Sequence, residues 1–239
     1  MTWSILARDK EGRLGVAIAS RFFAVGALCV HSQRGVGALA TQALMNPLYG
    51  PAGLNLLSLG RSAAEVAATL LLADAGRAQR QLHLLPAQGP AAAVTGEACI
   101  PWCGHLVGDD FSVAGNMLAG PQVIDATAQA FVAAAGLPLA ERLLLALAAG
   151  EAAGGDKRGK QAAALRIQGD EDYPELDLRV DDHAEPVLEL QRLYQKSLER
   201  YQPFMACLAG RHDGVGLIDR AQIEARVERF QANRNAPTT

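Results

Sequence analysis

From Thr2 to Ala7 the chain alternates, with the hydroxyls of Thr2 and Ser4 on one side and Trp3 and Ile5 on the other. Asp9-Lys10-Glu11-Gly12 reads as a polar turn, and Leu14 to Ser20 is a second apolar run with small residues. Together they predict a β-hairpin with Thr2 at its open end. Ala27 to His31 and Val36 to Gln42 predict two more strands around the turn Ser32 to Gly35.

The period then lengthens. Pro47 and Pro51 break the chain before a helix from about Ala52 to Leu59, with Gly60 as its stop. Ser62 and Glu65 form a capping box for a helix to about Asp74, with Val66, Leu70 and Ala73 at helical spacing. Gln81 to Leu85, Ala91 to Thr95 and a run from Phe111 to Ala114 return to strand patterning, the last after a loop from Cys99 to Asp110. Helices follow at Gln122 to Ala135 and from Pro138 to Gly150, then strands at Ala162 to Ile167 and Glu175 to Val180. Beyond Pro186 a long amphipathic helix carries Val187, Leu190, Leu193, Tyr194, Leu198 and Tyr201 on one side. Asp219 and Gln222 cap a last helix with Ile223, Val227 and Phe230 on its apolar face.

Strands grouped apart from helices argue against βαβ alternation and for two sheets between helical layers, an α+β, four-layer αββα sandwich. The chain divides into a main domain over residues 1–184 and a helical C-terminal extension over 185–239. Half of the 239 residues are hydrophobic but only 5% aromatic, so the core is built of Ala, Leu and Val. A net charge of −3 without a basic cluster excludes nucleic acid as a partner. No stretch is long and apolar enough to span a membrane, and no export signal is read at the start, so a soluble cytoplasmic protein is expected.

Four scattered cysteines, at 29, 99, 103 and 207, do not form a disulfide framework. Cys99, Cys103 and His105 fall within seven residues, but without a fourth ligand or a common zinc spacing no metal is expected, and no cofactor motif is present.

Thr2 is the first candidate for chemistry. A small second residue permits removal of Met1, which would leave a hydroxyl nucleophile and an α-amine base on one residue. If Met1 stays, Ser4 or Cys99 is the fallback nucleophile.

The opening Thr-x-Ser-Ile, the run Gly15-Val-Ala-Ile-Ala-Ser-Arg-Phe-Phe-Ala-Val-Gly26 and several later blocks resemble the domain-of-unknown-function 1028 family over residues 1 to about 184. That resemblance implies the N-terminal nucleophile (Ntn) hydrolase fold. Ser20-Arg21 resembles the serine and arginine that proteasome β-subunits carry beside their threonine, which makes Arg21 the leading cation near Thr2. Asp156, in Gly154-Gly-Asp-Lys-Arg-Gly159, resembles the aspartate that supports the terminal amine there. The proteasomal lysine is absent, since lysines occur only at 10, 157, 160 and 196.

Two strand exits offer amides to an oxyanion: Gln42 to Asn46, and Asn116 after Gly115. Trp102 and His105 supply an aromatic wall and a titrating group. The expected set is thus catalytic Thr2, Arg21, Asn116 and Asp156, with Ser4, Ser20, Gln42, Asn46, Trp102 and His105 binding substrate. Arg179, Asp181 and His183 read as a structural charge cluster. The expected activity is hydrolysis of a C–N bond in a small-molecule substrate. A threonine peptidase and a non-catalytic binding protein are the alternatives. The C-terminal helices would cover the main domain or form a homo-oligomer face.

Overall fold

The computed structural model describes residues 2–235; Met1, and with it the expected removal of that residue, lies outside them, as do residues 236–239. β1 (Thr2–Arg8) and β2 (Leu14–Ser20) form the expected hairpin. Its turn is held by Asp9 Oδ1, which accepts from the N–H of Glu11 and Arg13, while Gly12 takes φ +81°, open to glycine without a Cβ penalty. The register sets Thr2 opposite Ser20 and Ser4 opposite Ile18.

The next expected strand, Ala27 to His31, is corrected. Val25–Cys29 is a short helix, α1, and the strand β3 is Val30–Gln33, paired with β4 (Gly37–Ala43). Five residues, Val-Gly-Ala-Leu-Cys, are too few to reveal a helical period. α2 (Tyr49–Ser58) and α3 (Ala63–Leu72) follow, the latter with the Ser62–Glu65 capping box in place. After a 3-10 turn come β5 (Arg80–Pro86), β6 (Ala92–Thr95), β7 (Gly104–Val107) and β8 (Phe111–Asn116). β7 lies within the stretch expected to be loop. It is a four-residue edge strand paired only with β8, closed by Gly108 N donating to Phe111 O at 2.9 Å.

The remaining elements are α4 (Gln122–Ala133), α5 (Leu139–Ala152), β9 (Ala162–Gln168), β10 (Leu176–Val180), α6 (Pro186–Ser197), α7 (Tyr201–Met205) and α8 (Arg220–Asn235). The long helix expected beyond Pro186 is thus two. Arg200 leaves helical space at φ −144°, and Pro203 sits in the first turn of α7, where its missing N–H breaks no bond.

The strands make a six-stranded sheet, β10-β9-β2-β1-β8-β7, and a four-stranded sheet, β3-β4-β5-β6. α4 and α5 cover the outer face of the larger sheet, and α2 and α3 that of the smaller, so the architecture is the four-layer αββα sandwich. Side-chain alternation feeds two cores at once. Trp3, Ile5 and Ala7 join Leu143, Leu147 and Phe131 under α4 and α5, whereas Leu6, Val16 and Ile18 meet Ala38, Ala40 and Leu85 between the sheets. α6 places Val187, Leu190 and Tyr194 in the same core as α5 and the larger sheet.

Candidate functional site

β1 lies in the middle of the larger sheet, so Thr2 has a strand on each side: Ser20 faces it from β2 and Asn116 from β8. Thr2 Oγ1 donates to Ser20 Oγ at 3.1 Å, and all three side chains are buried, Thr2 with 5% exposure.

Trp3 positions the next component. Its indole lies against Gly150 and Gly155, where an added Cβ would come within 2.7 Å of Nε1 and 3.2 Å of the ring. Gly155, at φ +47°, accepts at its carbonyl from Ala119 N (3.1 Å), and Asp156 bridges Leu118. The loop is thereby held beside the exits of β2 and β8. Asp156 Oδ2 accepts from Arg21 N at 2.8 Å and Oδ1 from Arg158 N at 2.9 Å, so the carboxylate is committed to the loop and to the residue after Ser20.

Arg21, expected to aim at Thr2, is exposed, and its Nη1 donates to Arg158 O at 2.6 Å. Lys157, which the sequence reading left aside, donates from Nζ to Pro101 O at 2.7 Å. Both cations are pinned on neutral carbonyls at the rim of this end of the sheet.

Behind Thr2 the two sheets are joined by a chain of buried polar groups whose direction can be worked out. Gln81 Nε2 lies 3.0 Å from Gly104 O and 2.8 Å from Gly115 O, acceptors that fix the amide's orientation. Gln81 Oε1 therefore accepts, from Gln42 Nε2 at 2.8 Å and from Asn116 Nδ2 at 3.0 Å. Gln42 Oε1 is left to accept from Ser4 Oγ at 2.7 Å. Ser4 in turn accepts from His83 Nε2 at 2.8 Å, which makes His83 Nδ1 the acceptor for Ser112 Oγ at 3.0 Å.

Ser4, His83 and Ser112 have the spacing of a nucleophile, base and orienting group but the wrong polarity, because the imidazole donates to the serine. Burial, reinforced by the charge His105 would carry, pushes His83 down to about 3, too low for a base at neutral pH.

Other expected residues sit elsewhere. Ser4 and Gln42, placed in contact with substrate by the sequence reading, are fully buried inside this chain and present no surface to a ligand. Asn46 is not an open oxyanion donor: its N–H donates to Thr41 Oγ1, its Nδ2 to Asp74 Oδ2, and its Oδ1 accepts from Leu48 N. Asp74, gripped by Arg80, Tyr49 and Gly76 N, is held far below the usual carboxylate range, as befits a structural anchor. Trp102 packs its ring on Gly104, against the core under the helices. His105 is an exposed residue of β7 with Nδ1 2.9 Å from Thr95 Oγ1. Cys99 and Cys103 bond to carbonyls of Arg80 and Cys99, and burial raises both thiols, which leaves Cys99 a poor nucleophile. Arg179 pairs with Asp181 at 2.6 Å, the structural role expected.

Two surface cavities lie away from Thr2, among the C-terminal helices and α5. One of about 720 Å³ separates α7 from α8, lined by Pro203 and Phe230, and one of about 600 Å³ runs between α5 and α6, lined by Leu144 and Leu188.

The sequence profile of a family of unknown function, DUF1028, matches residues 2–190. The chain belongs to the DUF1028 family. The crystal structure of a DUF1028 protein from Silicibacter pomeroyi is 31% identical and superposes with a TM-score of 0.85, covering 92% of this chain and 96% of that one. Anbu, the ancestral β-subunit, is similar more loosely. The Yersinia bercovieri protein gives 16% identity and a TM-score of 0.42 over 82% of this chain and 94% of its own. A Hyphomicrobium sp. strain MC1 Anbu mutant gives 16% and 0.46 over 83% and 95%. Likenesses that loose bear on neither activity nor assembly. No curated protein matches the sequence.

Proposed function

We propose that this DUF1028 member is an Ntn-type amidohydrolase acting on a C–N bond of a small molecule. The observation that carries the reading is the position of Thr2: the second residue of the chain begins the inner strand β1, between Ser20 and Asn116, where the exits of two strands and the Asp156 loop converge. With Met1 removed, the α-amine takes the proton of Thr2 Oγ1 as the oxygen attacks the carbonyl carbon. The same proton then passes to the departing amine, and water releases the acyl group. Asp156 keeps the loop closed against Arg21, and Arg21 or Lys157 supplies positive charge at the rim. The lack of lysine in Val30–Gln33 and Gly37–Ala43 favours a small amide over a proteasome-like peptidase reaction.

Intact mass of the purified protein tests the first step, the loss of one methionine. A screen of small amides then compares wild type with Thr2→Ala, which abolishes turnover while circular dichroism stays unchanged, and with Thr2→Ser, which retains it. A form that keeps Met1 loses roughly 100-fold to 10,000-fold, the contribution of a general base. Wild-type turnover by Thr2→Ala refutes the assignment.

A further inference from the structure

The polar chain behind Thr2 has a consequence for Asn116. A free asparagine beside a reacting carbonyl can turn its amide to offer either a donor or an acceptor. Here the choice is made by Gln81, a fully buried amide. The carbonyls of Gly104 and Gly115 require the NH₂ of Gln81, so the Gln81 oxygen requires an N–H from Asn116, and the two are 3.0 Å apart. A flipped Asn116 would set its amide oxygen against that of Gln81 in a buried site, costing Gln81 one of its two donors and leaving the Asn116 oxygen facing a like partial charge. Gln81 cannot rotate to relieve that clash without abandoning two backbone carbonyls, and Gln42 donates to the same oxygen from the other side.

We infer that Gln81 is a positioning residue that turns Asn116 so that its carbonyl oxygen faces the Thr2 end of β1, where Asn116 accepts a hydrogen bond from the Thr2 α-amine and does not serve as an oxyanion donor. This deepens the Thr2 assignment and rests on it for its relevance to turnover. Thr2 Oγ1 already points to Ser20 on the opposite neighbour, so hydroxyl and amine are addressed from different sides. The charged groups that share this end are Asp156, Arg21, Lys157 and Arg158. Asp156 is occupied by Arg21 N and Arg158, and Arg21 and Lys157 bond to carbonyls, while Asn116 stands as a neutral amide directly across from Thr2.

The test is a titration of the amine by ¹⁵N NMR on protein labelled with ¹⁵N-threonine and released from a cleavable fusion with Thr2 as its first residue. Wild type is compared with Asn116→Ala, Asn116→Ser and Gln81→Met. An acceptor favours the charged amine, so Asn116→Ala and Asn116→Ser lower its pKa by about one pH unit, and Gln81→Met, which frees the amide to turn, lowers it by part of that. A donor at Asn116 gives the opposite sign. A raised or unchanged value in both Asn116 variants overturns the inference. A lowered value in those but not in Gln81→Met removes Gln81 from it. Asn116→Ser keeps a small polar group, so it still reads if Asn116→Ala does not fold. Because the fusion supplies the amine, a native protein that retains Met1 defeats the proposed function while leaving this titration decisive.

Discussion

Acidification puts the buried polar chain under a measurable load at His83. The ring is wholly buried and its pKa is held down to about 3, first by burial and then by the charge of His105, with a hydrogen bond to the Ser112 backbone opposing. The unfolded chain, with an ordinary value near 6.5, takes up a proton that the folded chain refuses, so stability falls as pH drops. The contribution is intact above about pH 6.5 and disappears at about 1.4 kcal/mol per pH unit toward pH 3, which amounts to roughly 2 kcal/mol by pH 5. His83→Gln removes the titration while keeping a donor and an acceptor. At pH 8 the variant is the less stable, by about 1 to 3 kcal/mol for disturbed buried bonds. Urea unfolding at pH 8, 6.5 and 5, followed by the fluorescence of the two tryptophans, measures the difference between the two proteins, in which carboxylate effects common to both cancel. The gap closes by roughly 2 kcal/mol between pH 8 and 5. A gap that stays constant across that range refutes the buried, neutral His83.

Two further predictions concern the scaffold. Gly96→Ala drives a Cβ to 2.3 Å from the Ala78 carbonyl oxygen, a backbone atom that cannot swing aside, and costs about 1 to 3 kcal/mol by thermal melting, whereas Gly136→Ala meets nothing within 4 Å and stays within about 0.5 kcal/mol of wild type. Ser62→Ala removes the side-chain acceptor of the α3 capping box and costs about 1 kcal/mol in the same assay.

The hairpin that presents Thr2, the register that brings Ser20 to it, and the layered architecture could all be read from alternation and element order. α1 and β7 could not, since each is shorter than the window in which a period becomes visible. The polar chain was hidden for a different reason. In Gln81-Leu82-His83-Leu84-Leu85 the alternation is plain, but a polar face on a strand reads as the solvent side, and in a sandwich whose sheets are covered on both faces there is no solvent side. Gln42 and Ser4 read from sequence as substrate-binding residues, since a strand-exit amide and a strand hydroxyl both suggest a ligand; the structure buries both within the polar chain. Lys157 sits in the run Gly154 to Gly159, where nothing in the sequence places it near Thr2. The bridge between Leu118 and Asp156, with the bonds from Ala119 N to Gly155 O and from Arg21 N to Asp156, brings it to this end of the sheet.

Two sheet faces made largely of aliphatic side chains can dock at several nearly equivalent offsets, as Ala38 and Ala40 against Val16 and Ile18 illustrate. Amides and a neutral imidazole have no such tolerance. Sliding the smaller sheet along its strands by one two-residue step, about 7 Å, would part Gln42 from Ser4 and Gln81 from Asn116 while every methyl found a new neighbour. Each stranded polar group then costs about 1 to 3 kcal/mol, so mis-docked arrangements lie well above the native one although they bury the same hydrocarbon. The string from Ser112 to Gly115 is in that sense a key cut into an otherwise smooth interface: oil holds the halves together, and six hydrogen-bonding side chains decide where they stop.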